Sequence, residues 1–253
     1  MITYALGAFF RCERIDALYV VSDPEWMESI RDDVISAYPG GFEAMGKDNV
    51  HGEMISAHHV GASAIAGFAS PGENRQYSIL NGMKSILDDV CRGGGPDGFS
   101  ADDTVIIHDA ARPFITEELI NSCYDALPGH DGVMPVLPMK DTVYRSEDGK
   151  SVSELLDRSR IFAGQAPELF RFKPYYKANL DLLPDRIKLI NGASEPGILA
   201  GMDIVMIPGD ERNSKVTTAG DLKRFIRTPY AGESEDANRT PYAGGEAGGT
   251  CFE

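Results

Sequence analysis

Positive charge is what this 253-residue chain is short of: 24 lysines and arginines stand against 39 aspartates and glutamates, a formal net charge of -15. A protein that grips nucleic acid through its phosphates needs many cations. With no basic run anywhere, that class of partner is excluded. A small phosphorylated ligand is not, because a few local cations and backbone N–H groups suffice for it. Long apolar runs are also missing. No segment approaches the roughly 18 to 20 residues that span a bilayer, so no membrane association is expected. The apolar start, Met1 to Phe10, has no basic stretch before it and no small-residue cleavage site. It reads as the first helix of a core and not as a signal peptide. The four cysteines, Cys12, Cys91, Cys123 and Cys251, form no close pair. That removes zinc-knuckle and CxxC redox motifs and suits free thiols in a reducing, cytoplasmic compartment. His58 and His59 are adjacent, poor spacing for two metal ligands on one helical face. From Ala231 onward there is no Leu, Ile, Val or Met. Residues 231–253 are therefore expected to be a disordered, acidic, Gly-rich tail behind a domain covering 1–230.

What is present alternates between strand-like and helix-like segments. Residues 14–23 centre on a compact apolar run with β-branched members, as in a buried parallel strand. Asp23-Pro24 has the form of a helix start, with Trp26, Ile30, Val34 and Ile35 expected inward and an end near Pro39. Residues 40–74 show no steady period and read as part strand, part loop over a ligand cleft. Helical spacing returns over 76–91, and Gly93–Gly98 reads as a loop. Thr104–Ile107 is a short buried strand that runs into His108-Asp109-Ala110-Ala111-Arg112-Pro113. Thr116 then caps a helix through Leu127, which Pro128-Gly129 stops. Gly132–Pro138 begins another strand. Asp148-Gly149 between two short β-prone runs signals a hairpin, an arm over about 139–162. Residues 167–183 read as a helix interrupted at Pro174. Ile187–Ile190 and Ile204–Ile207 read as strands, and a last helix turns Leu222, Phe225 and Ile226 inward after a Thr217 cap. The alternation implies an α/β fold with a mostly parallel sheet, whose ligand lies beyond the carboxyl ends of the strands.

Asp109 sits at such an end. There it can hold Mg²⁺ or a ligand hydroxyl, or simply cap the chain as it leaves the strand. Arg112 offers a planar fork to a phosphate, or an ion pair to Asp109 or Glu117. Pro71–Ser78 opens a helix with Gly72, Arg75 and Ser78, suited to an anion or base and equally to an ordinary cap. Lys215 and Arg158 can each neutralise a substrate phosphate or be surface charges. His108 can serve as a base or bond only to the backbone.

Taken in order along about residues 3–227, these segments resemble the 2-C-methyl-D-erythritol 4-phosphate and ribitol-5-phosphate cytidylyltransferases. The likeness rests on Phe9–Val21, Glu73–Gly82, Val105–Pro113, Asp141-Thr142-Val143, Leu156-Asp157-Arg158, Gln165–Phe170, and Asn213–Thr217 with Asp221-Leu222. It implies a Rossmann-like, glycosyltransferase-A-like nucleotidyltransferase fold with a protruding β-arm. It also implies reaction of CTP with a polyol phosphate, in the presence of Mg²⁺, to a CDP-alcohol and pyrophosphate, in one branch as a step of isoprenoid biosynthesis. By the same resemblance Asp109 takes the metal or the ribose side, and Gly72, Arg75 and Ser78 lie against the cytidine part. Thr142, Arg158 and Lys215 gather at the polyol phosphate near Ala166, Arg112 buttresses the turn or meets phosphate, and the arm joins two subunits of a homodimer.

The departures are specific. The family's Gly-x-Gly-x-Arg loop, which wraps the CTP phosphates, occurs nowhere in the chain, and Met1 falls about where the family's next helix begins. The first strand goes with that loop, so apolar sheet edges should be exposed. Ala166 stands where the family has Thr, Glu168 where it has Gln, and Arg212 where Asp often precedes the Asn. Two readings follow: a cytidylyltransferase, or a degenerate member that binds without turnover. A transferase using another base on the same fold ranks third.

Overall fold

The computed structural model describes residues 1–38, 65–94 and 99–228. The segments 39–64, with His58 and His59, and 95–98, and the tail after residue 228, with Cys251, lie outside what is described, as do the side chains of residues 91–94, Cys91 among them. The chain divides into two units, Met1–Lys215 and Val216–Glu253.

The first unit opens with α1 (Ile2–Arg11), as the apolar start implied, and buries Ala5, Leu6, Ala8 and Phe9. Next come β1 (Leu18–Val21) and α2 (Pro24–Ala37). Pro24 begins α2, but the Asp23 side chain makes no cap hydrogen bond. Only Val34 of the expected apolar face is buried; Trp26 and Ile35 are exposed, so the inward stripe is narrower than the spacing suggests. β2 (Ile65–Ala69) pairs in parallel with β1. α3 (Arg75–Gly94) then buries Leu80 and Met83, running into what had read as the Gly93 loop.

β3 (Thr104–Ile107) and α4 (Glu117–Ala126) follow as read from the sequence, and Thr116 Oγ1 accepts from the Leu119 N–H at 3.3 Å. β4 (Gly132–Pro138) is the centre of the larger sheet. β5 (Val143–Arg145) and β6 (Glu154–Leu156) form the expected hairpin arm, a separate two-stranded sheet with Gly149 at φ +70° in its turn. β7 (Phe162–Gly164) and β8 (Glu168–Arg171) both run antiparallel to β4, at opposite ends of it. β8 was not foreseen. The helix expected from residue 167 starts only at α5 (Phe172–Leu180). Pro174 falls in its first turn, where a missing N–H costs no hydrogen bond. Ile187–Ile190 is a 3-10 turn over Arg186–Leu189 and not a strand. α6 (Glu195–Leu199) and β9 (Ile204–Pro208), parallel to β4, complete the unit.

The α/β layering stands, with mixed pairing. β8 runs antiparallel between β3 and β4, while β4–β9 and β1–β2 are parallel. The sheet is in two pieces, and among the described residues no strand joins β1 to β3.

In the second unit, α7 (Ala219–Arg227) starts from a capping box in which Thr218, and not Thr217, accepts from the Asp221 N–H at 3.1 Å and Asp221 Oδ2 accepts from the Thr218 N–H at 2.9 Å. The helix buries none of its residues, so the expected inward face of Leu222 and Ile226 is exposed.

Candidate functional site

The strand-to-turn junction after β3 positions the central carboxylate. The Arg112 N–H bonds back to the Asp109 carbonyl at 2.9 Å, closing a tight turn over Ala110-Ala111. His108 is tied into the same turn, its Nε2 3.0 Å from the Arg112 carbonyl, with Phe9 packed 5.3 Å from its ring centre. Burial pushes the imidazole down to about 4, so it is neutral at pH 7. Its Nδ1 makes no hydrogen bond. The backbone role is the one the structure gives His108.

Three cations meet Asp109. Arg75, the first residue of α3, donates to Oδ1 from Nη2 at 2.8 Å and from Nε at 3.2 Å. Lys215 Nζ lies 3.2 Å from Oδ2, and Arg112 Nε lies 3.5 Å from the same oxygen. Burial raises the Asp109 carboxyl, but Arg75 and then Lys215 outweigh it and hold the group below its usual range. One carboxylate among three cations leaves a local excess of two positive charges in a chain that is strongly acidic overall. Such an island attracts an anion that the rest of the surface repels.

Two further elements hold the cluster. The loop before α3 is preformed by Ser78, whose Oγ accepts from the Gly72 N–H at 3.0 Å and donates to the Asn74 carbonyl at 3.0 Å. A Cβ at Gly72 would come within 2.2 Å of Tyr77 Cβ, so only glycine fits there. The loop that carries Lys215 is pinned from below by Gln165 and Asn213, both buried. Gln165 donates to the Asp210 carbonyl and accepts from its N–H, both at 3.0 Å. Asn213 Nδ2 donates to the Ala166 carbonyl at 2.7 Å, and its own carbonyl accepts from Arg112 Nη1 at 2.8 Å.

Of the residues singled out from sequence, Asp109, Arg75, Arg112 and Lys215 meet directly. Gly72 and Ser78 build the adjoining loop, and Ala166 is the buried anchor of Asn213. Thr142 and Arg158 belong to the arm: Thr142 is exposed just before β5, and Arg158 Nη1 donates to the Lys140 carbonyl at 2.6 Å. Gln165 and Asn213 were not among the candidates, although both lie in the motifs that carry the resemblance. Glu168 is a second omission. It is buried at the start of β8, with Oε2 lacking a hydrogen-bond partner, and burial, opposed in part by Arg75, pushes its carboxyl up to about 7.

The layering, the arm and a cationic cluster at the carboxyl end of β3 define a Rossmann-like α/β protein of the cytidylyltransferase fold. The family model described as "IspD: 2-C-methyl-D-erythritol 4-phosphate cytidylyltransferase" matches residues 47–226, and the chain belongs to that family. A bifunctional enzyme IspD/IspF of Paramagnetospirillum magneticum is 33% identical over 153 residues, 60% of this chain and 36% of that protein. A ribitol-5-phosphate cytidylyltransferase of Lactiplantibacillus plantarum is 26% identical over 223 residues, 88% of this chain and 82% of that protein. The solved 4-diphosphocytidyl-2C-methyl-D-erythritol synthase of Anaerococcus prevotii superposes with a TM-score of 0.66 at 20% identity, covering 90% of this chain and 86% of that one. The chain thus spans about a third of the length of the bifunctional relative. No helix among the described residues is long and apolar enough to cross a membrane.

Proposed function

We propose that the chain binds CTP and a polyol phosphate at the Asp109 cluster and transfers the cytidylyl group, giving a CDP-alcohol and pyrophosphate. The observation that carries this reading is the meeting of Arg75, Arg112 and Lys215 on one carboxylate at a strand's carboxyl end. A phosphate oxygen of the polyol phosphate attacks the α-phosphorus in line, and the bond to the β-phosphate oxygen breaks. The electron pair leaves with pyrophosphate. This reaction asks the protein mainly for alignment and for charge that offsets what develops on the phosphoryl oxygens. Lys215 and Arg75 supply that charge, Asp109 aims them, and Arg112 keeps the Lys215 loop in register through Asn213. The loop of Gly72 and Ser78 takes the cytidine side. Thr142 and Arg158 approach the polyol phosphate from an arm, in this subunit or a second one. Exposed Tyr144, Val152 and Leu155 on the arm support a homodimer, because a lone two-stranded sheet is marginal in water.

Magnesium does not fit these residues as a resident ion. Both oxygens of Asp109 already face cations, and among the described residues no group of three or more His, Cys, Asp or Glu could hold a metal. Magnesium would enter as the counter-ion of the triphosphate, as part of the substrate.

The second reading is binding of CTP at the same cluster without turnover. Pyrophosphate release from CTP, with magnesium and either methylerythritol phosphate or ribitol 5-phosphate, separates the two. Release with one of the alcohols supports transfer and identifies the alcohol. CTP binding with no release under either condition overturns transfer and leaves the binding protein.

A further inference from the structure

The start of α3 is held by one neighbouring stretch of chain. Glu73 pairs with Lys188 at 3.1 Å, Asn74 Nδ2 donates to the Ile187 carbonyl at 3.0 Å, and the Tyr77 hydroxyl donates to the Pro184 carbonyl at 2.7 Å. Gln76 reaches α5, where its Nε2 donates to the Tyr175 hydroxyl at 3.2 Å and to Asn179 Oδ1. Every residue from Glu73 to Tyr77 except Arg75 therefore bonds to the segment 175–188. Arg75 bonds to Asp109 instead.

Gln76 differs from the others in burial. It is 1% exposed and shares the inner face of α3 with Leu80 and Met83, at the i, i+4, i+7 spacing of an apolar stripe. An apolar residue could fill that place without needing a partner, whereas a buried amide must be paired. Its partners are themselves fixed. The Tyr175 hydroxyl donates to the Ala193 carbonyl at 2.7 Å, and Asn179 Nδ2 donates to the Tyr175 carbonyl at 2.8 Å. Apolar contact is non-directional and lets a helix turn or slide, while two directed bonds to fixed acceptors do not. Successive helical residues are set roughly 100° apart. The same two bonds therefore fix the direction in which Arg75, the preceding residue, leaves the helix.

We propose that Gln76 is a positioning residue for Arg75: its buried amide, bonded to α5, holds the start of α3 at the rotation that puts two N–H groups of Arg75 on Asp109 Oδ1. Arg75 needs such a hold, because its side chain is 37% exposed and an ion pair open to water fixes a long side chain weakly. Glu73, Asn74 and Tyr77 support the same setting around it. In its bearing on turnover the inference rests on the Asp109 cluster being the nucleotide-phosphate site. As a statement about Arg75 it stands by itself.

The test uses the full chain with Gln76→Met, whose side chain is unbranched and apolar, and with Tyr77→Phe, which loses only one exposed hydroxyl. Melting curves confirm that each is folded. Nitrogen–proton NMR follows exchange of the Arg75 Nε–H, identified by its loss in Arg75→Lys. Exchange should quicken by about tenfold in Gln76→Met and by about threefold in Tyr77→Phe. Affinity for CTP with magnesium should fall by about fivefold on Gln76→Met, but by less than about twofold where Arg75 is already lysine, because the two residues act through one contact. The same loss of affinity in both backgrounds overturns the proposal and leaves Gln76 a merely structural residue. So does an unchanged Nε–H exchange rate in Gln76→Met or, should that variant not fold, in Tyr77→Phe. If the natural chain binds no CTP, the nucleotide reading falls, and the exchange rate alone decides the positioning role.

Discussion

Arg75 places two N–H groups on a single oxygen of Asp109, Nη2 at 2.8 Å and Nε at 3.2 Å, leaving Oδ2 to Lys215 and Arg112. Replacing Asp109 by Asn removes the one negative charge among three positive ones. Turnover should fall by about 100-fold or more, as when a positioned charge-stabilising group is lost. Thermal unfolding should show a loss of roughly 1–3 kcal/mol, since like charges then face each other in a half-buried site. Pyrophosphate release and a melting curve measure the two effects. An Asn variant with unchanged turnover would show that the cluster does not organise the reaction.

Glu168 makes stability depend on pH in the direction opposite to that of a salt-bridged carboxylate. Its carboxyl titrates at about 7 in the fold against an ordinary 4.5. Between these values the unfolded chain has released the proton and the folded chain keeps it, so stability falls as pH rises from 4.5 through 7. Glu168→Gln should therefore stabilise the protein above pH 7 by up to about 3 kcal/mol. The difference should vanish near pH 4.5. Urea unfolding of both proteins at pH 4.5 and pH 8 reads it directly, and an equal difference at the two pH values would contradict it.

His108, held near 4 by burial, should show no titration of its ring resonances between pH 5.5 and 8. Proton–nitrogen NMR of the imidazole checks this. A midpoint near 6.5 would mean that the ring is solvated and that the turn around Asp109 is looser than described.

The preformed loop before α3 makes different demands on its two key residues. Gly72→Ala forces a Cβ into Tyr77 and should cost about 1–3 kcal/mol by overpacking. Ser78→Ala removes one hydroxyl that serves two backbone groups, and should cost about 1 kcal/mol. Chemical denaturation ranks them, and the reverse order would contradict this account of the loop.

Much of the site was legible because its signals are local. Thr104–Ile107 is a short apolar run ended by a charged turn, Thr116 stands one residue before two glutamates, and Asp148-Gly149 has the chemistry of a tight hairpin turn. β8 escaped because Glu168–Arg171 is too short to show a period and leads straight into a helix. Gln165 and Asn213 escaped because their value is tertiary: each matters by burying its amide against a loop some 45 residues away. The inward faces expected for Trp26, Ile35, Leu222 and Ile226 failed because apolar spacing says which residues share a face, not whether anything covers it.

Lys215 tests the central claim most directly, since it is partly exposed, holds Asp109 from a loop, and carries no core packing. CTP with magnesium should be titrated calorimetrically into the natural chain and into Lys215→Met, with melting temperatures confirming that both are folded. The account predicts measurable binding to the natural chain and affinity at least tenfold weaker in the variant. Equal affinities, or no binding to either, would contradict the assignment of the Asp109 cluster as the nucleotide-phosphate site.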